Sequence, residues 1–240
     1  MNPNDSVLGM TAVVTGGSRG IGAEIAREIG RHGAKVAILG RDQGAVNEVC
    51  AEITGGGGQC EGVICDLASF EDVQRAAKEI EGRLGAADVL VNCAGVGLMG
   101  KKLLDCTGEE WERVMNTNLR GVFYAVKAFA PGMVEKGGGH IVNISSIASK
   151  NPLPGGAIYA ASKWGLNGLS YSLAEELREN NVRVSLVCPG SVNTEFSEHA
   201  GRDLSRMLIP ADVAHAVMML LTQRPQSFVS ELILRPTQKP

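Results

Sequence analysis

The stretch Thr15-Gly-Gly-Ser-Arg-Gly-Ile-Gly22 (TGGSRGIG) decides the fold of this chain. It follows a short apolar run, Gly9 to Thr15 (GMTAVVT), and leads into residues 20–32, where Ile21, Ile25 and Ile29 recur four apart. Strand, glycine turn and helix thus succeed one another without a linker. Glycines at such a junction meet three demands: a tight turn, close approach of backbone N–H groups to a phosphate, and close packing of helix on strand. The helix N-terminus beyond them carries partial positive charge, which suits an anion. The common G-x-G-x-x-G spacing is absent, so the turn alone is also compatible with an ordinary strand-to-helix corner.

Outward from this turn, strands and helices alternate. Gly33 ends the first helix, and Lys35 to Leu39 (KVAIL) reads as a second strand. A helix over about 42–53, a strand near 62–65, a helix over 69–84 and a strand over 88–93 (DVLVNC) follow. A long helical stretch from about Glu109 to Glu135 is interrupted around Asn116 to Asn118. The spacing then predicts a strand over 140–144, a helix over 159–180, a strand over 182–188, a helix near 211–221 and a last strand near 228–234. Strands apolar on both faces, separated by helices, predict an α/β fold with a parallel sheet of about seven strands covered on two sides. Right-handed crossovers make that sheet doubly wound, of the Rossmann type. Gly55 to Gly58 read as a turn, and no repeat or boundary divides the chain. Residues 1–240 are therefore expected to form a single domain, with a loose polar arm at 1–8.

The bulk composition narrows the possible partners. The 240 residues are 44 % hydrophobic and 20 % charged, enough to bury a core without a metal or disulfide staple. The net charge is −3, and Lys and Arg are scattered, which argues against nucleic acid and anionic membranes. No stretch approaches the ~18 apolar residues of a membrane span, and the N-terminus lacks the pattern of a signal peptide. The six cysteines form no CxxC pair and have no His at ligand spacing, so they read as free, small apolar side chains and no metal is expected. A reducing, cytoplasmic compartment is the expectation that follows. His32, His140 and His215 read as structural.

The string T-G-x-x-x-G-x-G resembles the cofactor turn of the classical short-chain dehydrogenase/reductase family, with Gly16, Gly20 and Gly22 at the matching positions. The resemblance runs from about residue 9 to 235 and is nearest to 3-oxoacyl-ACP reductase-like members. Further matches occur in order: Asp66, Asn92-Cys-Ala-Gly95, Asn118, Ser146, Tyr159-x-x-x-Lys163 and Pro189-Gly190. The resemblance implies a dinucleotide on Gly16, Ser18, Arg19, Gly20, Ile21 and Gly22, with Asp66 and the Leu67 backbone at the adenine. It implies Asn92 beside the ribose, followed by Ala94 and Gly95, and Val192 and Thr194 at the nicotinamide carboxamide. It also implies a homo-oligomer, a tetramer or else a dimer, formed through helices near 117–135 and 159–180 by outer apolar residues such as Phe123 and Leu169. Many members end in a V-D-G-G type sequence, whereas this chain reads Glu231-Leu-Ile-Leu-Arg-Pro-Thr237, which puts the contacts usually made there in doubt.

Charge addresses the choice of dinucleotide. About 20 residues past the glycines, an acid at the end of the second strand would hydrogen-bond a free ribose 2′-hydroxyl and repel a 2′-phosphate. Here Leu39 is followed by Gly40 and Arg41, and a guanidinium suits a phosphate. Arg19 offers a second cation. Asp42 argues the other way unless it serves as the N-cap of the next helix. NADP(H) is the expected cofactor.

The catalytic expectation rests on four residues. Tyr159 and Lys163 lie four apart on a helix, hence on one face. An ammonium at ~4 Å with an effective dielectric of about 20 contributes roughly the 4 kcal/mol needed to bring a tyrosine toward neutrality. By resemblance Ser146, thirteen residues before Tyr159, positions a substrate carbonyl, with Ser145 as the alternative. Asn118 falls at the helix interruption, where freed backbone groups can hold a water on a proton path to Lys163. Residues 195–210 are expected to form a substrate lid, with Phe196, His199, Leu204 and Met207 as candidate walls. These features point to an oxidoreductase that reduces a ketone or aldehyde. The alternative is a regulatory protein that binds NADP(H) as a redox sensor. A 3-oxoacyl thioester, a sugar, a steroid-like ketone and a small diketone all remain open as substrates.

Overall fold

The computed structural model describes residues 7–196, 203–224 and 226–240. Strands β1 (Thr11–Thr15), β2 (Lys35–Gly40), β3 (Gln59–Ile64), β4 (Val89–Asn92), β5 (Gly139–Ile144), β6 (Val182–Pro189) and β7 (Glu231–Leu234) make one sheet. Its order is β3-β2-β1-β4-β5-β6-β7, and every pairing is parallel. Side chains alternate across it. Ala12 and Val14 of β1 pack with Ile25 and Ile29 of α1 (Gly20–Arg31) and Val213 and Val217 of α7 (Pro210–Leu221). Val13 faces the other way, into a cluster with Val73 of α3 (Phe70–Leu84), Phe129 of α5 (Gly121–Lys136) and Ala174 of α6 (Ala157–Leu177). Both faces are thus covered, which is why the strands lack polar alternation.

The helices start where local chemistry allows. Asp42 accepts from the Ala45 N–H and caps α2 (Gln43–Gly55), and Ser69 does the same for α3 through the Asp72 N–H. Thr107 and Glu110 form a reciprocal capping box on α4 (Gly108–Met115). The expected interruption between α4 and α5 is a π-helical turn over Asn116–Arg120. Gly137, in the left-handed region at φ 71°, ends α5.

Two expectations need correction here. β3 begins at Gln59, three residues earlier than the pattern indicated, because Gln59, Cys60 and Glu61 pair with β2 at the sheet edge and stay partly exposed. Cys50 of α2 and Cys60 of β3, expected as free thiols, are joined by a disulfide with Cα atoms 5.2 Å apart. Packing α2 onto β3 brings the two together across ten residues. Cys65, Cys93, Cys106 and Cys188 are free. Among the described residues no helix is long and apolar enough to cross a membrane, and no group of His, Cys, Asp or Glu could hold a metal ion.

β1 is flanked by β2 on one side and β4 on the other, so the chain after β1 and the chain after β4 leave the sheet in different directions. A crevice at the carboxyl ends of the strands follows from that reversal.

Candidate active site

A cleft of about 1170 Å³ opens at this carboxyl edge. The glycine turn forms its floor. Gly16 has φ +67°, and a Cβ there would fall 2.7 Å from Ala94 Cα; a Cβ on Gly22 would fall 2.2 Å from Gly16 O. Both positions exclude any side chain, so the β1–α1 corner lies directly against the loop after β4. No side chain caps the start of α1 at Arg19, which leaves the helix N-terminus available to an anion. Ser18, Arg19, Gly20 and Ile21 line the cleft with them.

The end of β2 is sterically closed. A Cβ on Gly40 would sit 2.8 Å from Val46 Cγ2 and 3.2 Å from Ser18 Oγ, so an acid has no room there. Arg41 lines the cleft beside it. Arg19 reaches Asp42 at 3.4 Å, with both side chains more than half exposed, a contact of little energetic weight. Asp66 and Leu67 border the same end of the cleft, and the Asp66 carboxylate accepts from the Ala68 N–H at 3.0 Å.

Asn92 departs from expectation. It is buried beneath the cleft, where its side-chain amide donates to Asn143 on β5 at 2.8 Å. The pleat turns this side chain into the sheet rather than toward a ribose. Cys93 lines the cleft instead, and burial pushes its thiol up to about 12. Thr15 Oγ1 accepts from the N–H groups of Cys93 and Ala94 at 3.1 and 3.3 Å and holds this loop, including Gly95, at the cleft wall.

Ser146, Tyr159 and Lys163 converge at the other end. Ser146 stands at the end of β5, its Oγ accepting from the Ala148 N–H at 3.1 Å. Burial pushes the Tyr159 phenol up to about 12, an effect that the neighbouring Ser146 hydroxyl partly opposes. Ser145 is buried and tied to the Asn167 side chain at 2.6 Å, which separates it in function from its neighbour.

The Lys163 ammonium donates to the Ile144 carbonyl at 2.9 Å and lies 5.9 Å from the Tyr159 ring centroid. Burial lowers its pKa to about 8.

Asn118 is wholly buried in the π-helical turn. Its side chain accepts from the Val96 N–H at 2.8 Å and donates to Val96 O and Ser162 Oγ, both at 3.0 Å. The amide thus clamps the loop after β4, leaving only backbone groups of the turn for any water.

Pro189, Gly190, Val192 and Thr194 line the cleft after β6. Phe196 lines it too, its ring centroid 5.9 Å from that of Tyr159. Of the other candidate walls, Leu204 and Met207 do not line the cleft. Leu204 is exposed on a 3₁₀ turn, Met207 is buried against a separate depression, and His199 lies outside the described residues. A bridge between Val192 and Leu208 ties the end of this segment back to the chain after β6. Met99, Ile147 and Leu153, which the sequence reading did not single out, line the cleft instead. Their positions in the loops after β4 and β5 were the available signal, since loops at this edge carry binding residues.

A doubly wound sheet with a glycine cradle at its switch point defines a nucleotide-binding protein of the Rossmann class. Comparison with known proteins places it more closely: the chain belongs to the short chain dehydrogenase family, whose model matches residues 10–205. It is similar to an uncharacterized oxidoreductase of Staphylococcus saprophyticus, 33 % identical over 226 residues that cover 94 % of this chain and 96 % of the relative. Among solved structures it is similar to a metagenomic short-chain oxidoreductase in complex with NADP, 45 % identical, TM-score 0.86, covering 97 % of this chain and 99 % of that one. It is also similar to an alcohol dehydrogenase from the archaeon Thermococcus sibiricus complexed with 5-hydroxy-NADP, 31 % identical, TM-score 0.88, covering 96 % and 98 %. The protein is an oxidoreductase of a family that uses a nicotinamide cofactor.

Proposed function

We propose that this chain is an NADP(H)-dependent carbonyl reductase, reversible in principle. The observation that carries the reading is the convergence of Ser146, Tyr159 and Lys163 at one end of a cleft whose other end is the glycine cradle. The residues present suit the dinucleotide. Gly16 and Gly22 leave a backbone surface for a pyrophosphate, and the uncapped start of α1 favours its charge. The closed position at Gly40, with Arg41 beside it, favours a 2′-phosphate over a free hydroxyl. The two NADP-bound structures similar to this chain support the same choice.

The bound cofactor would supply the hydride to carbon; the chain must supply the proton to oxygen. A phenol with a pKa near 12 is protonated at neutral pH, which is the form a proton donor requires. The Ser146 hydroxyl holds the carbonyl oxygen beside that phenol and shares the charge that develops on it. Lys163, still largely protonated at pH 7, adds positive charge to the same enclosed region. Asn118 keeps the Val96 segment in place on the opposite wall.

Tyr159→Phe tests this reading, since it removes one oxygen and preserves the ring. Turnover of NADPH with a carbonyl panel should fall by ~10²–10⁴-fold, while folding and NADPH affinity survive. Undiminished reduction by the variant would overturn the assignment. A wild-type protein that binds NADPH and reduces no carbonyl would favour the sensor reading.

A further inference from the structure

The geometry points to a neutral, apolar carbonyl compound, aryl or branched alkyl, as the substrate class, and to the rejection of substrates carrying a carboxylate or phosphate close to the reacting carbonyl. This inference rests on the carbonyl-reductase reading above and concerns the end of the cleft around Tyr159.

Three observations carry it. First, the walls there are apolar. Phe196 stands 5.9 Å from the Tyr159 ring, and Met99, Leu153 and Ile147 line the same end of the cleft. Phe196 and Met99 are 43 % and 40 % exposed, so their apolar surface is available to a ligand. Second, Gly97 is what lets them in. A Cβ at that position would lie 3.0 Å from Met99 Cε and 3.2 Å from a Phe196 ring carbon, which the present packing barely accommodates.

Third, the described residues offer no free cation at this end. Arg19 and Arg41 lie at the glycine turn and the end of β2. Arg113 falls on one helix face with Thr117 and Gly121, and Gly121 packs against Leu67 beside Asp66. Lys163 is buried and bonded to Ile144 O. Lys101, Lys102 and Lys150, in the flanking loops, do not line the cleft, and Lys101 and Lys150 are paired at short range, with Glu110 at 2.8 Å and Glu231 at 2.7 Å. Glu195, which borders the mouth, is itself acidic. An anion here would lose water and gain no partner, which is strongly unfavourable, whereas an aryl group would exchange water for Phe196 and Met99. A 3-oxoacyl thioester whose carrier brings a phosphate near the mouth is disfavoured on the same ground.

A matched pair of probes tests the inference: ethyl 3-oxo-3-phenylpropanoate, which is neutral, and 3-oxo-3-phenylpropanoate, which has the same ketone and a carboxylate. Binding of each is measured by calorimetry to the full chain saturated with NADP⁺, where no reduction takes place. The ester should bind at least about tenfold more tightly than the acid. Phe196→Ala should weaken the ester about tenfold and leave NADP⁺ affinity unchanged. Equal or tighter binding of the acid, or an ester affinity indifferent to Phe196→Ala in a protein of unchanged melting temperature, overturns the inference. The two readings fail separately. Selective ester binding without reduction by NADPH removes the reductase assignment and keeps the apolar site, and reduction with preference for the acid does the reverse.

Discussion

Burial acts on Tyr159 and Lys163 in opposite directions, raising the phenol to about 12 and lowering the ammonium to about 8. The lysine therefore has a testable linkage to stability. Between pH 8 and its ordinary value of 10.5, the unfolded chain keeps a proton that the folded chain has released, so stability should rise with pH through that window. Below pH 8 the folded state carries a buried charge. Lys163→Met should raise the melting temperature at pH 7, by about 1–3 kcal/mol of stability less the lost bond to Ile144, and flatten the rise above pH 8. Reduction by the wild type should decline above pH 8 as this ammonium deprotonates. A melting temperature that falls in the variant, with the alkaline rise intact, would show that burial of the charge is not the governing cost.

Cofactor preference is a second matter at this scale. The sequence showed that an acid was missing at the end of β2, and the structure adds that Val46 occupies its place. Gly40→Asp alone should destabilise the chain without switching it to NAD(H). Combined with Val46→Ala, it should bind NAD(H) in preference to NADP(H), a result that titration of both cofactors reads directly. If the single variant switches cofactor at full stability, Val46 has no part in the choice. That Tyr159 and Lys163 share one helix face was legible in their spacing, whereas the place of Ser146 beside them was implied only by the family resemblance. The contacts of Lys163 and the burial of Asn92 were not legible, because they depend on which strand packs opposite.

Elements were legible wherever burial imposes a pattern and obscure wherever an edge relaxes it. β1, β4 and β6 announce themselves as apolar runs because both of their faces are covered. β3 starts among half-exposed residues and hides its first turn of pairing, and with it the neighbour of Cys50. The disulfide joins α2 to the edge of the sheet across ten residues, a loop closure worth roughly 2–3 kcal/mol in the chain-entropy account. Denatured without reductant, the chain should titrate four thiols, those of Cys65, Cys93, Cys106 and Cys188, against the six cysteines of the sequence. Reduction should lower the melting temperature by roughly 5 °C. Six titratable thiols in protein kept under air would remove the link and restore the reading of small apolar thiols.

At the scale of the whole molecule, the helices α4, α5 and α6 present large apolar side chains outward: Trp111, Phe123 and Trp164 are 43 %, 44 % and 54 % exposed. Both tryptophans of the chain are in this set. Scattered apolar residues on a surface need no explanation, but three large exposed aromatics on three successive helices are the kind of side chains that self-association covers. The isologous contact of a twofold dimer suits such a set, since each helix pair can meet its own copy. Leu169, expected beside Phe123, is only half exposed and adds less. β7 still extends the sheet at its far edge through Glu231–Leu234, with Ile233 48 % exposed there, so the unusual ending leaves a second apolar edge available. Two such surfaces allow a tetramer, and the helical one alone a dimer. Light scattering at micromolar concentration should therefore give four times the 25.2 kDa chain mass. Phe123→Glu with Trp164→Glu should break the helical contact and leave dimers held through the β7 edge, while the Tyr159 cleft keeps its NADPH affinity. Wild-type protein at the mass of one chain would show that neither surface is an interface. A wild-type dimer reduced to monomers by the double variant would assign all of the association to the helices.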